Sequence, residues 1–156
     1  MEIRLIRGED REAVAALLER IPTFSRDEVA CALELVDCAC QVPAHPDYKA
    51  LVALRDGRLA GYVCYGPTPM TQGTFDLYWI ASDPDMRGQG VGAALVGAME
   101  EDLRSRQGRR IRVETSATED YGPTRGFYRS LKYEEEARFR DFYKDGDDLV
   151  ILAKRL

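Results

Sequence analysis

The chain has 156 residues, 45% hydrophobic and 31% charged, with 22 basic residues against 27 acidic ones and a single histidine. That balance excludes a disordered, collagenous or coiled-coil protein, and the length predicts one domain spanning residues 1–156 with a substantial core. The net charge of −5 argues against nucleic acid as partner, and one histidine excludes a zinc site of the His-Glu-x-x-His kind.

Ile3-Arg4-Leu5-Ile6 reads as a short first strand. Glu9-Asp10 open a helix whose apolar positions Val14, Leu17, Leu18 and Ile21 have helical spacing, and Pro22 closes it. Ser25 and Glu28 form a capping-box pattern for a second helix, with Val29, Leu33, Val36 and Cys40 facing inward. A proline-containing loop, Val42 to Tyr48, leads to two strands, Ala50–Leu54 and Leu59–Tyr65, joined by the hairpin signal Asp56-Gly57. Phe75 to Ser82 is apolar on both faces and is therefore expected at the centre of a sheet. A glycine-rich turn at Arg87–Gly92 opens a helix to about Gln107 that buries Val91, Leu95, Ala98, Met99 and Leu103. Then come a strand over Arg110–Thr115, a helix from Pro123 to about Leu131, and two last strands, Glu135–Tyr143 and Leu149–Lys154, around Asp145-Gly146. The order β-α-α-β-β-β-α-β-α-β-β predicts an α/β (α+β) fold with a mixed, mostly antiparallel sheet and one central βαβ crossover.

Cys31, Cys38, Cys40 and Cys64 have no zinc-ribbon or finger spacing and read as free thiols, so no metal is expected. The chain starts with charged residues and has no apolar run near the ~20 residues of a membrane span. The expectation is a cytoplasmic protein with no membrane partner.

Chemistry concentrates at Arg87 to Ala93. A glycine-rich turn between a strand and a helix exposes backbone N–H groups beside the positive end of the helix dipole, which suits a phosphate or pyrophosphate without any lysine. A Walker A loop is excluded because no Gly-Lys-Ser/Thr follows. Gly88-x-Gly90-x-x-Ala93, with Glu114 on the next strand, also fits a permissive dinucleotide fingerprint, so a dinucleotide-binding protein stands as one alternative.

Arg87-x-x-Gly90-x-Gly92 resembles the Arg/Gln-x-x-Gly-x-Gly/Ala signature of the GNAT superfamily of N-acetyltransferases. Tyr78-Trp79-Ile80-Ala81-Ser82-Asp83-Pro84 looks like that family's strand leading into the loop, and Phe127-Tyr128-Arg129-Ser130-Leu131-Lys132-Tyr133 looks like its Phe-Tyr-x-x-x-Gly-Phe segment. Lys132-Tyr133 stands in place of the usual Gly-Phe, Thr124 where alanine is frequent, and Tyr121 where many members carry asparagine. The resemblance implies a GNAT-like acyl-CoA N-acyltransferase fold and acetyl-coenzyme A as cosubstrate. It implies that the amides of Gly88, Gln89, Gly90, Val91, Gly92 and Ala93, with Arg87, hold the pyrophosphate. Ile80, Ala81 and Ser82 would pair with the pantetheine arm as an added strand, amides near Ile80 and Ala81 would serve the thioester carbonyl, and Tyr121 would lie against the cofactor.

Acetyl transfer to an amine needs a base for the ammonium and an acid for the departing thiolate. Tyr128 matches the family's general-acid tyrosine in register. Asp76, expected on one strand face with Tyr78 and Ile80, and Glu114 on the next strand are the carboxylate candidates for the base, with water as the alternative. His45, before Pro46, reads as a loop histidine. Phe24 to Arg26, Thr115 to Tyr121 and the Tyr143–Asp148 turn fall where such acceptor sites are walled. The expected acceptor is a small-molecule or peptide amine. The resemblance leaves room for a homodimer through C-terminal edge strands, and for a catalytically silent acyl-CoA-binding module.

Overall fold

The computed structural model describes residues 1–156. In chain order it forms β1 (Glu2–Leu5), α1 (Arg11–Glu19), α2 (Arg26–Ala39), β2 (Lys49–Arg55), β3 (Arg58–Pro67), β4 (Thr74–Ser82), α3 (Val91–Ser105), β5 (Arg110–Ser116), α4 (Gly122–Ser130), β6 (Glu134–Lys144) and β7 (Asp147–Arg155). This is the expected order. The seven strands make one sheet, β1-β2-β3-β4-β5-β7-β6, in which only β4 and β5 run parallel. β4 lies at its middle, as its two apolar faces require.

Each face of the sheet carries its own core. On one face α3 and α4 bury Leu95, Met99, Leu103 and Tyr128 against Val63, Leu77, Ile111 and Val113. On the other, α1 and α2 bury Val14, Leu17, Leu18, Ala32 and Val36 against Val52, Tyr62 and Cys64. Each leucine so buried contributes roughly 1.5–3 kcal/mol. The capping box of α2 is in place: the Ser25 hydroxyl accepts from the Glu28 N–H at 3.1 Å and Glu28 accepts from the Ser25 N–H at 2.6 Å. The buried stripe of α2 is narrower than its spacing suggested. Ala32 and Val36 are sealed, whereas Val29, Leu33 and Cys40 are half-buried.

Two charged groups inside the cores are paired, as desolvation demands. Asp10, ahead of α1, takes two hydrogen bonds of 2.8 Å from Arg4 of β1, which hold its carboxyl below the usual range. Glu100 on the inner face of α3 accepts from Lys154 of β7 at 2.8 and 2.9 Å and from the Tyr133 hydroxyl at 3.2 Å. Those bonds fasten α3 to the far side of the sheet.

The end of α4 explains the substitution of lysine for glycine. Tyr133 N–H donates to Tyr128 C=O and Lys132 N–H to Arg129 C=O, both at 3.0 Å, with Lys132 at φ +70°. This is the paired closure that normally uses glycine, because a Cβ is strained in the left-handed region. Lys132→Gly is expected to stabilise the protein by about 1 kcal/mol, read as a higher urea midpoint at unchanged slope.

Candidate active site

β4 and β5 hydrogen-bond over three rungs only, Thr74 with Arg110, Phe75 with Ile111 and Asp76 with Arg112. Beyond them β4 stays with β3 and β5 runs on with β7. A cleft therefore opens between Leu77–Ser82 and Val113–Ser116. A bulge in β4 lies at the point of divergence: Trp79 pairs with Cys64 and Leu77 with Tyr65, leaving Tyr78 without a partner. A bulge adds a residue, bends its strand and breaks the alternation of faces. Tyr78 and Trp79 thus both join the α1/α2 core, while Ile80 joins the α3/α4 core. The expectation that Asp76, Tyr78 and Ile80 share a face is corrected here, because strict alternation does not survive the bulge.

The backbone of the cleft follows from the ladder. Asp83 N–H donates to Ala60 C=O at 2.8 Å. Groups of an antiparallel strand alternate between its two edges. Ala81 is therefore directed to β3, and Ile80 and Ser82 turn their polar groups to the cleft. Gly61 confirms the direction, since a Cβ there would lie 2.6 Å from the Ala81 carbonyl oxygen. Of the three residues expected to meet an extended ligand, Ile80 and Ser82 have free backbone on that edge and Ala81 does not.

Directly above the cleft, Gly88 and Gly90 take φ of +74° and +77°, and α3 begins only at Val91. The chain cannot be helical through those glycines, so the expected glycine-rich turn is a true loop before the helix. Arg87, Gly88, Gln89, Gly90 and Ala93 are exposed; Val91 is buried, and its side chain anchors the turn. The third glycine has a packing role. A Cβ on Gly92 would come within 3.1 Å of the Phe127 ring, which seats α4 against the start of α3. The Asp83 carboxylate accepts from Asp85 N–H at 2.9 Å, and Arg20, the residue that caps the end of α1, reaches Asp83 at 3.2 Å and Asp85 at 2.7 Å. These contacts hold Asp83 below the usual carboxylate range and cancel negative charge beside the loop. Gln89 is engaged by Arg55 from the β2–β3 turn.

Tyr128 is 2% exposed and belongs to the same buried cluster as Leu77 and Val113, which flank the cleft. Its ring packs against Phe127 and Tyr133 at 5.2 and 5.5 Å. Its hydroxyl makes no hydrogen bond within the protein, yet it is not sealed: Tyr62 Oη is the one fully buried side-chain polar atom without a partner. Burial pushes the Tyr128 hydroxyl well above the ordinary tyrosine value. Arg125 positions this helix by donating to the Ser116 and Thr118 carbonyls at 2.7 and 2.8 Å. Nothing in its sequence neighbourhood marks Arg125 for that task.

The two carboxylates differ. Asp76 is 6% exposed, and both its oxygens are engaged, one by Arg112 Nε at 2.6 Å and one by the Thr68 hydroxyl at 2.8 Å. Glu114 is exposed on the α1/α2 side of β5 and touches only Arg112, at 3.9 Å. Tyr121, expected against the cofactor, is turned to the α1–α2 connection, where its hydroxyl lies 3.4 Å from the Thr23 carbonyl. Burial and the nearby Glu28 and Asp147 raise its hydroxyl. Tyr143 is raised to about 12 by burial and by Glu114 and Asp147. Residues from α2, β5 and the β6–β7 turn thus meet at one mouth, with Phe24 edge-on to Trp79 at 5.5 Å. His45 sits elsewhere, its Nδ1 accepting from Asp47 N–H at 3.1 Å.

With this geometry, the comparisons are unambiguous about family. The model of the acetyltransferase (GNAT) family matches residues 13–133. An acetyltransferase of Pectobacterium atrosepticum is 31% identical over 159 residues, covering 100% of this chain and 96% of that protein. The crystal structure of a GNAT-family protein of Desulfovibrio desulfuricans superposes with a TM-score of 0.94 at 38% identity, over 99% of this chain and 98% of that one. An aminoglycoside 6'-N-acetyltransferase complexed with coenzyme A shares the fold, with a TM-score of 0.78 at 17% identity over 99% and 97% of the two chains. The chain belongs to the GNAT acetyltransferase family and is an acyltransferase. The dinucleotide alternative fails on architecture, because its fold repeats parallel βαβ units and this sheet has one parallel pair.

Gly90→Glu places a strained, charged residue at the loop. It is expected to remove coenzyme A binding in calorimetry while leaving the thermal transition of the free protein within a few degrees of wild type.

Proposed function

We propose that this protein transfers the acetyl group of acetyl-coenzyme A directly to a primary amine of a small molecule or peptide. The supporting observation is Tyr128, an enclosed phenol without an internal hydrogen bond, in the cluster that flanks the β4–β5 cleft. In this reading the loop amides from Gly88 to Ala93 and Arg87 hold the pyrophosphate. Ile80 and Ser82 hold the pantetheine arm as a strand added to an open edge, and the Ile80 N–H donates to the thioester carbonyl. Coenzyme A bound to the like-folded aminoglycoside 6'-N-acetyltransferase is consistent with this use of the fold. Tyr128 donates its proton to the departing thiolate. Glu114, the carboxylate not locked in a short ion pair, draws the proton from the acceptor ammonium directly or through water. The acidic mouth and the overall charge of −5 suit a cationic acceptor.

The direct test is thiol release from acetyl-coenzyme A with a panel of amines, alongside thermal titration. Acetyl-coenzyme A at 100 times its Kd is expected to stabilise the protein by ~2.7 kcal/mol. Stabilisation by NADH instead would overturn the reading. Tyr128→Phe is expected to lower kcat by ~10²-fold; wild-type turnover would return Tyr128 to a packing role.

The pH dependence has a definite sign. Burial raises Tyr128 above the ordinary value near ~10, so the folded enzyme keeps the proton that the unfolded chain would lose. No alkaline fall of kcat due to this group is expected below pH ~10. Stability linked to it is full below that value and declines as pH rises past it. A loss of kcat midway between pH 7 and 9 that disappears in Tyr128→Phe would contradict this assignment.

A further inference from the structure

Asp76 is one of the two carboxylates the sequence offers as a base, and its surroundings suit a different role. It occupies the last rung before β4 and β5 separate. Its carboxylate spans three elements at that rung: its own strand, Arg112 across the parallel pair at 2.6 Å, and Thr68 just past the end of β3 at 2.8 Å. Only 6% of Asp76 is exposed, so water has little access to its carboxylate, while Arg112 reaches it from the half-exposed side of β5. The hydrogen bond to Asp76 raises the Arg112 guanidinium above its ordinary value. Above this rung the bulge bends β4 away, and four residues on lies Ile80, whose backbone faces the cleft.

We propose that the Asp76–Arg112 ion pair, steadied by Thr68, pins the vertex of the cleft and so sets where the Ile80 backbone stands relative to Tyr128, making Asp76 a positioning residue. This rests on the acetyl-transfer reading above. Ile80 sits on β4, and Tyr128 is carried by α4, which is tied to the end of β5 through Arg125. The two groups that would act on the thioester therefore ride on the two arms of the cleft. Those arms are joined directly by three rungs of backbone and this one short ion pair. A small opening at the vertex displaces both groups, and a displacement near 1 Å is enough to cost about 10²-fold in rate. The coenzyme A phosphates would be held at the α3 loop, beyond the far end of the cleft, so their affinity is not expected to follow the vertex.

The test compares Asp76→Asn, Arg112→Gln and the double variant. Kinetics are followed as thiol release from acetyl-coenzyme A with water as the attacking group, and binding by calorimetry with coenzyme A. Each single variant is expected to lose about 10- to 100-fold in kcat, with coenzyme A affinity within about threefold of wild type. The double variant is expected within about twofold of the worse single one, because both remove the same link. Trp79, the single tryptophan, lies beside the bulge, so its emission in the free protein is expected to shift alike in all three. Multiplying losses, or a loss confined to Asp76→Asn, would make Asp76 the base and overturn the proposal. Unchanged kcat, or lost coenzyme A affinity with intact kcat, would overturn it too. Should Asp76→Asn not fold, Arg112→Lys, which keeps the charge, is expected to retain most of the kcat that Arg112→Gln loses; equal losses would reject the pin. Failure of the pin leaves Tyr128→Phe and Gly90→Glu behaving as expected, whereas failure of the acetyl-transfer reading changes those two first.

Discussion

Parallel strands laid side by side in a sheet ordinarily pair along their whole common length, since every unpaired backbone group in an interior costs free energy. Here β4 and β5 stop after three rungs, and β5 spends the rest of its length on β7. The remaining features of the site follow from that interruption. The bulge at Tyr78 bends β4, puts Tyr78 and Trp79 on one face and so leaves Ile80 on the other. Ile80 and Ser82 are left with an open edge, while Ala81 is consumed by β3. An extended chain entering from the loop end would satisfy these groups as a strand would. The helices on either side are fixed to the same opening, α3 by the loop that follows β4, and α4 by Arg125 and by Phe127 on Gly92.

Charge is managed locally in a chain that is acidic overall. Asp83 and Asp85 lie next to the glycine loop and would repel a phosphate. Arg20, brought from the end of α1 to the end of β4, neutralises both. Arg55 approaches from the β2–β3 turn on the other side. Backbone amides can then supply most of the attraction at the loop, which needs glycine rather than lysine. At the opposite mouth, Glu28, Glu114 and Asp147 stand among tyrosines whose hydroxyls are pushed upward by burial first and by these carboxylates second. The neutralised surroundings of the glycine loop and the acidic mouth are thus separate regions of the molecule.

The elements themselves were readable because they depend on short-range pattern. Hydrophobic period, the Asp56-Gly57 turn, the Ser25–Glu28 capping box and the glycines before α3 each act within a few residues. The order of elements came from those same signals, whereas the register of Tyr128 came from resemblance to a family whose motifs lie between residues 75 and 133. The bulge at Tyr78 was not readable: it is decided by the pairing of β3 with β4, and Tyr78-Trp79-Ile80, apolar throughout, has no break in pattern to mark it. Asp76 looked like a free strand carboxylate because Arg112 lies 36 residues away in sequence. Glu100 was hidden among the apolar positions of α3 because its partner Lys154 is 54 residues away. Tyr121 occupied a familiar motif position, but its larger side chain meets the α1–α2 connection.

The enclosure of Tyr128 bears on which proton it can handle. A histidine titrates near neutral pH and can give or take a proton. The only histidine here accepts from Asp47 N–H in the loop before β2. A phenol whose ionised form is disfavoured by burial is a poor base, since it has no lone charge to offer at neutral pH. Burial favours the protonated form, so the phenol keeps its proton where an ordinary tyrosine would begin to lose it. The same burial that disfavours the phenolate also leaves the hydroxyl without a partner inside the protein, so a thiolate formed beside it would be the first strong acceptor it meets. Packing by Phe127 and Tyr133, and the left-handed turn at Lys132 that ends α4 and buries Tyr133, hold the phenol in that setting. The helix end that departs from the family's glycine therefore shapes the setting of this phenol as well as the fold.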